Sequence, residues 1–111
     1  MKEIIHDNIW DFGRTISIVL DGGNALCTVT LLDGDEEAML SGVIVHPTAR
    51  KRGLGNCLLE TAERVTTEML KVNTIILEVK ECTWMSKWYE RRGYKTINNF
   101  HGMNTMRKYL N

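Results

Sequence analysis

The sequence predicts an α/β domain: a mixed, mostly antiparallel sheet with one βαβ unit and helices packed against it. Three observations carry this reading. β-rich stretches between Thr15 and Val45 are separated by glycine-containing turns, as in an antiparallel meander. After Pro47 the apolar period changes from that of a strand to that of a helix. A nearly continuous apolar run, Thr74–Val79, follows, and such runs belong to buried, often parallel, strands.

Residues 1–13 place apolar side chains at Ile5, Ile9, Trp10 and Phe12 without a clear period, which fits a short helix or an extended arm. Thr15–Leu20 is the first β-rich stretch. Asp21-Gly22-Gly23-Asn24 supplies turn residues that tolerate positive φ. Ala25–Leu32 is the next strand, Asp33-Gly34-Asp35 the next turn, and Glu37–Val45 the third strand. Pro47 has no N–H to give a ladder, so that strand ends near His46. Leu54, Leu58, Ala62, Val65 and Met69 step by four, four, three and four, with Glu60, Glu63, Arg64, Thr67 and Glu68 on the other face. This is an amphipathic helix from Gly53 to Lys71, with Asn73 as its C-cap. Strand, helix and strand then make a βαβ unit. Trp84 with Trp88, and Met85 with Tyr89, are i,i+4 pairs on a shorter helix that Gly93 closes. Tyr94–Ile97 and Met103–Leu110 form a final hairpin around Asn98–Gly102.

The 111 residues suit one domain, with one proline and no linker-like stretch. Fourteen basic and fourteen acidic residues cancel, which argues against a protein held to nucleic acid by bulk charge. No run approaches the roughly 20 apolar residues that span a bilayer. The charged start, Lys2-Glu3 followed by His6-Asp7, lacks the apolar stretch of a signal peptide. Cys27, Cys57 and Cys82 are odd in number and widely spaced, matching neither a disulfide framework nor a zinc pattern. Free thiols, no metal and a cytoplasmic location are the expectation.

The informative segment is Val43-Ile44-Val45-His46-Pro47-Thr48-Ala49-Arg50-Lys51-Arg52-Gly53-Leu54-Gly55. A strand runs into a basic, glycine-containing turn that opens into a helix. The first N–H groups of a helix lack internal partners, and the macrodipole favours an anion there. Gly53 and Gly55 let an oxyanion approach the backbone, and Arg50, Lys51 and Arg52 add positive charge. A phosphate cradle and a glycine-softened helix entry with solvated basic residues both fit these facts. The Walker pattern Gly-x-x-x-x-Gly-Lys-Ser/Thr is absent, and the dinucleotide fingerprint Gly-x-Gly-x-x-Gly fails because position 58 is Leu.

Arg50-x-x-Gly53-x-Gly55 after a strand resembles the acetyl-CoA-binding motif of the GNAT superfamily of N-acetyltransferases. Trp88-Tyr89-Glu90-Arg91-Arg92-Gly93-Tyr94 is similar to the family's aromatic-Tyr-Glu-x-x-Gly-Phe/Tyr segment, and Met106–Leu110 resembles its final strand. The resemblance covers roughly Thr15 to Leu110. It implies a GNAT-like fold and transfer of an acetyl group from acetyl-CoA to a primary amine by direct attack in a ternary complex. It implies that the strand carrying Val43, Ile44 and Val45 splays from Thr74–Val79 at a bulge and pairs there with the pantetheine arm. The pyrophosphate would sit on the amides from Lys51 through Arg52, Gly53, Leu54 and Gly55 to Asn56. Tyr89 falls at the general-acid position. Glu78, a lone carboxylate in an apolar strand, resembles the base position of ribosomal-protein N-terminal acetyltransferases, one residue closer to the tyrosine than there. Cys82 stands where relatives often carry an asparagine that contacts the pantetheine. Met1–Gly13 stands in place of the family's usual first strand and two helices, which wall the acceptor side. An open acceptor side suits a protein or peptide amine. A homodimer packed through Ile9, Trp10 and Phe12 would rebuild the wall instead. The rival classes are a non-catalytic acyl-CoA-binding module and a small nucleic-acid binder using Arg50–Arg52 with Arg91, Arg92 and Lys95.

Overall fold

The structure, a computed structural model, describes residues 2–111, with the side chain of Lys51 outside the described set. Seven strands form one sheet: β1 (Glu3–Trp10), β2 (Gly13–Leu20), β3 (Ala25–Leu32), β4 (Ala38–Val45), β5 (Thr74–Lys80), β6 (Lys95–Phe100) and β7 (Met103–Tyr109). Their spatial order is β1-β2-β3-β4-β5-β7-β6. Two helices accompany them, α1 (Leu54–Glu68) and α2 (Trp84–Arg91). Every strand pair is antiparallel except β4 with β5, joined through α1, so the βαβ expectation holds.

Alternation explains which face is buried. Ile16, Ile18 and Leu20 of β2, Ala25, Cys27 and Val29 of β3, and Ile75, Leu77 and Val79 of β5 all face inward. They meet Leu54, Leu58, Leu59, Ala62 and Val65 of α1 and Tyr89 of α2 in one core. The registers carry this face across the sheet, with Ile16 opposite Val29 and Val29 opposite Leu40. On the other face the alternate positions include Ser17, Thr28, Ser41 and Glu78, and no helix of the described residues covers them. One apolar row, Ile4–Val19–Leu26–Ile44, crosses four strands there.

Three expectations change. Of the two N-terminal alternatives, a short helix or an extended arm, the extended one holds, but as a full sheet strand: β1 is paired with β2 along its whole length. Helix α1 stops early: Met69 is its C-cap, donating its N–H to Val65 O at 2.9 Å, and Lys71 takes φ +62°. The chain has thus left the helix before Asn73. The last hairpin turns at His101-Gly102, both at positive φ, so Asn98 and Asn99 belong to β6. No helix of the described residues is long and apolar enough to cross a membrane.

Candidate active site

The parallel pairing of β4 and β5 is brief. It joins Ala38 to Ile75 and Met39 to Ile76 and goes no further. The reason lies in β4 itself. Between Leu26 opposite Ile44 and Thr28 opposite Ser41, β4 carries one residue more than β3. Gly42 takes up the extra length at φ +63°, a conformation costly for residues with a Cβ. This bulge turns Val43, Ile44 and Val45 away from β5, and the two strands diverge.

Beyond β4 the chain makes a 3₁₀ turn, Pro47–Arg52. His46 organises it, because its Nδ1 accepts the Thr48 N–H at 3.3 Å and lies 2.8 Å from Thr48 Oγ1. Pro47 fits the first helical position, where no N–H is required. Gly53, at φ +74° and ψ +13°, redirects the chain from this turn into α1. No side chain caps α1, so its first-turn amides remain open to an external acceptor. A Cβ built on Gly53 would meet no atom within 4 Å; one on Gly55 would press Trp88 Cζ2 at 3.3 Å.

Helix α2 supplies the facing wall. Thr83 and Ser86 form a capping box that fixes its start. From it Trp84, Met85, Trp88 and, just past its end, Arg92 face the groove. With Val43–Val45, Arg50, Gly53, Gly55 and Asn56 they enclose a cavity of about 380 Å³. Arg92 is held on three sides: its guanidinium lies 4.5 Å over the Trp88 ring, Nε donates to Asn56 Oδ1 at 2.5 Å, and a terminal nitrogen donates to Trp88 O at 3.2 Å. Arg50 donates Nε–H to Val45 O at 3.1 Å and lies 5.7 Å over Trp84. A larger depression of about 1140 Å³ lies at the opposite end of β4 and β5, around Asp35, Lys71, Asn73 and the Glu37–Arg107 ion pair. It is shallower and has no helix N-terminus aimed into it, so the glycine-turn groove is the better anion site.

The sequence-predicted residues fall into groups. Val43, Ile44, Val45, Arg50, Gly53, Gly55 and Asn56 come together in the groove. Arg52 is turned away, paired with Asp21 at 2.8 Å; the hydrogen bond from Asn24, and then that from Arg52, hold the Asp21 carboxyl below its ordinary range. The Leu54 side chain is in the core, leaving only its backbone amide at the turn. The Lys51 side chain lies outside the described residues. Cys82 is exposed at φ +58° in the turn before α2 and does not line the groove.

Tyr89 is 3% exposed on the inner face of α2, packed edge-on against Trp88 and Tyr94. Burial, with Cys27 nearby, pushes its phenol up to about 12. Tyr94 is anchored behind it, donating its hydroxyl to Glu63 Oε2 at 2.9 Å, while Lys108 pairs with Glu63 at 3.1 Å. Glu78 is exposed on the uncovered sheet face, opposite Thr105 of β7. Tyr89 therefore lies on the covered face of the sheet and Glu78 on the uncovered one. The sequence reading missed Trp84, Met85, Trp88 and Arg92 as groove residues, and Gly42 as the bulge that shapes the groove. A glycine inside a strand pattern is a bulge signal, but nothing in the spacing says which face of α2 meets β4.

Residues 12–96 match the family model described as the acetyltransferase (GNAT) domain, well over half of the chain. No curated protein matches the chain by sequence. Among solved structures, the PaiA N-acetyltransferase from Thermoplasma acidophilum in complex with coenzyme A aligns with a TM-score of 0.73 at 16% identity, over 86% of this chain and 60% of that one. A ribosomal-protein alanine N-acetyltransferase from Escherichia coli aligns at 0.69 and 21% identity, over 92% of this chain and 72% of that one. N-acetylglutamate synthase from Neisseria gonorrhoeae, complexed with coenzyme A and N-acetyl-glutamate, gives 0.70 at 13% identity, over 87% of this chain and 26% of that one. At such identities these three speak for the fold, a mixed sheet with the same arrangement. The family match, joined to the bulged β4 and the glycine turn at the head of α1, shows that this chain belongs to the GNAT family of acetyltransferases.

Proposed function

We propose that the chain transfers an acetyl group from acetyl-CoA to the primary amine of a protein or peptide. The observation that carries the donor reading is the groove between bulged β4 and α2, which ends on the uncapped first turn of α1. Its residues fit the donor in kind. The open N–H groups from Gly53 to Asn56 suit a diphosphate. The edge of Val43–Val45 that β5 leaves unpaired suits the amide-bearing pantetheine arm. When bound, acetyl-CoA supplies the activated thioester.

Two proton tasks then fall to side chains. Tyr89 holds a proton for the leaving thiolate, and a phenol raised to about 12 remains protonated at neutral pH. Glu78, on the open face, takes a proton from the incoming amine. Support for this division is that the two groups lie on opposite faces of the sheet, so that donor and acceptor can approach from different sides. The uncovered face is broad and rich in hydroxyls, which suits an acceptor bringing its own contact surface better than a small amine that must be enclosed.

The test is acetyl-CoA turnover followed by free-thiol release across basic peptides, spermidine and aminoglycosides. We expect the specificity constant to be highest for a peptide amine. A small amine preferred tenfold or more over every peptide would overturn the acceptor reading. Tight coenzyme binding without turnover on any amine would make the chain a coenzyme-binding module instead.

A further inference from the structure

The two tryptophans of α2 differ in a way the acetyl chemistry does not require. They stand one helical turn apart on the same wall of the groove. Trp88 is a closed unit: Arg92 covers its ring at 4.5 Å, Gly55 lies beneath it, and Tyr89 meets it edge-on. Trp84 is 60% exposed at the groove mouth. Its only aromatic-face neighbour among the cation contacts of the described residues is Arg50, at 5.7 Å, wider than the Arg92–Trp88 stack. Both ends of that arrangement are rigid. The Thr83–Ser86 capping box fixes the backbone at Trp84, and the bond to Val45 O fixes Arg50.

A rigid, exposed indole next to an anion site has the chemistry of a base platform. Every nucleobase has a π-face that stacks on an aromatic ring, and a guanidinium alongside adds cation–π attraction. The one groove gathers the β4 edge, the α1 amides and this ring, so a donor seated with its diphosphate on the amides has an exposed aromatic face on the same groove wall for its nucleoside end. We infer that Trp84 is a specificity-determining residue that stacks the purine of the donor, with Arg50 beside it. The chain then distinguishes donors by their nucleotide end, and favours a free coenzyme thioester over the same acyl group on phosphopantetheine alone. This rests on the donor reading given above.

The experiment is calorimetric and fluorescence titration of the full chain with CoA, with 4′-phosphopantetheine and with adenosine 3′,5′-bisphosphate. The proteins are the wild type, Trp84→Ala and Trp84→Phe. Trp84 is largely exposed, so neither variant removes core packing; equal denaturation midpoints verify this. The expected result is that adenosine 3′,5′-bisphosphate binds the wild type and quenches its tryptophan fluorescence. Trp84→Ala weakens CoA and the bisphosphate by about tenfold or more, the scale of base–aromatic stacking. It leaves phosphopantetheine within twofold, and Trp84→Phe recovers most of the loss. If Trp84→Ala weakens CoA and phosphopantetheine alike, or changes neither, the stacking inference is overturned while the donor reading stands. If the wild type binds none of the three, both fall.

Discussion

Gly53 offers a way to separate backbone geometry from electrostatics at the head of α1. Two substitutions are compared, Gly53→Ala and Gly53→Asp. At φ +74° any L-residue is strained, and the cost for a side chain in the left-handed region is about 1–2 kcal/mol. A Cβ there meets nothing within 4 Å, so no steric penalty is added. Aspartate tolerates this conformation at least as well as alanine. Both variants should therefore lose about 1 kcal/mol of stability, with Gly53→Asp no worse than Gly53→Ala. Ligand affinity should separate them. A carboxylate about 6 Å from a bound phosphate is opposed by roughly 0.7 kcal/mol in water and roughly 3 kcal/mol at the effective dielectric of a protein surface. A gap of about 1.4 kcal/mol, or tenfold, lies inside that range. Calorimetry with CoA at low salt should show Gly53→Asp at least tenfold weaker than Gly53→Ala, with the gap narrowing as salt screens it. Equal affinities for the two variants would refute the placement of an anion on these amides.

Three further outcomes follow from the site. Tyr89→Phe should retain CoA affinity and lower turnover by about 10²-fold; a parallel loss of binding and stability with an unchanged rate per folded site would return Tyr89 to a packing role. Glu78→Gln should shift or abolish the acidic limb of the rate–pH profile, and a profile like that of the wild type would assign that proton to a water relay. Burial raises the Cys27 thiol from 9.0 to about 12, as it raises Tyr89 from 10.0 to about 12. Such groups ionise first in the unfolded chain, so the stability they confer is complete below pH 9 and is lost as pH climbs towards 12. Denaturant midpoints should fall steeply above pH 9, and Cys27→Ala should delay the onset towards pH 10. An onset unmoved by that change would contradict the buried-thiol account.

Much of the fold is legible in the residues because burial and period coincide. Ile16, Ile18 and Leu20 alternate and are buried; Leu54, Leu58, Ala62 and Val65 step helically and are buried. The misreadings come where that coincidence fails. In β1 both faces lie at the margin of the sheet, so Ile9 and Trp10 stay exposed and leave no clear pattern. A lysine, Lys71, adopts the left-handed region after α1, and His101 does so in the last turn, where the sequence points instead to asparagine and glycine. The glycine turn is readable because its backbone geometry depends on the residues themselves. The facing wall is not, because Trp84, Trp88 and Arg92 meet β4 only through tertiary packing.

The brief pairing of β4 with β5 bears on how the molecule opens. Two ladder positions join a four-stranded half, β1–β4, to a three-stranded half, β5–β7–β6, and the rest of the seam depends on α1 and α2 bridging the core. Hydrogen exchange should find this seam among the least protected parts of the sheet interior, since local opening there breaks few backbone bonds. A molecule lodged between the diverging strands replaces the missing ladder. It draws the two halves into one cooperative unit and raises the unfolding free energy by RT ln(1 + [L]/Kd). Coenzyme occupancy would then be readable in the slowed exchange of β5 amides that the coenzyme itself does not touch.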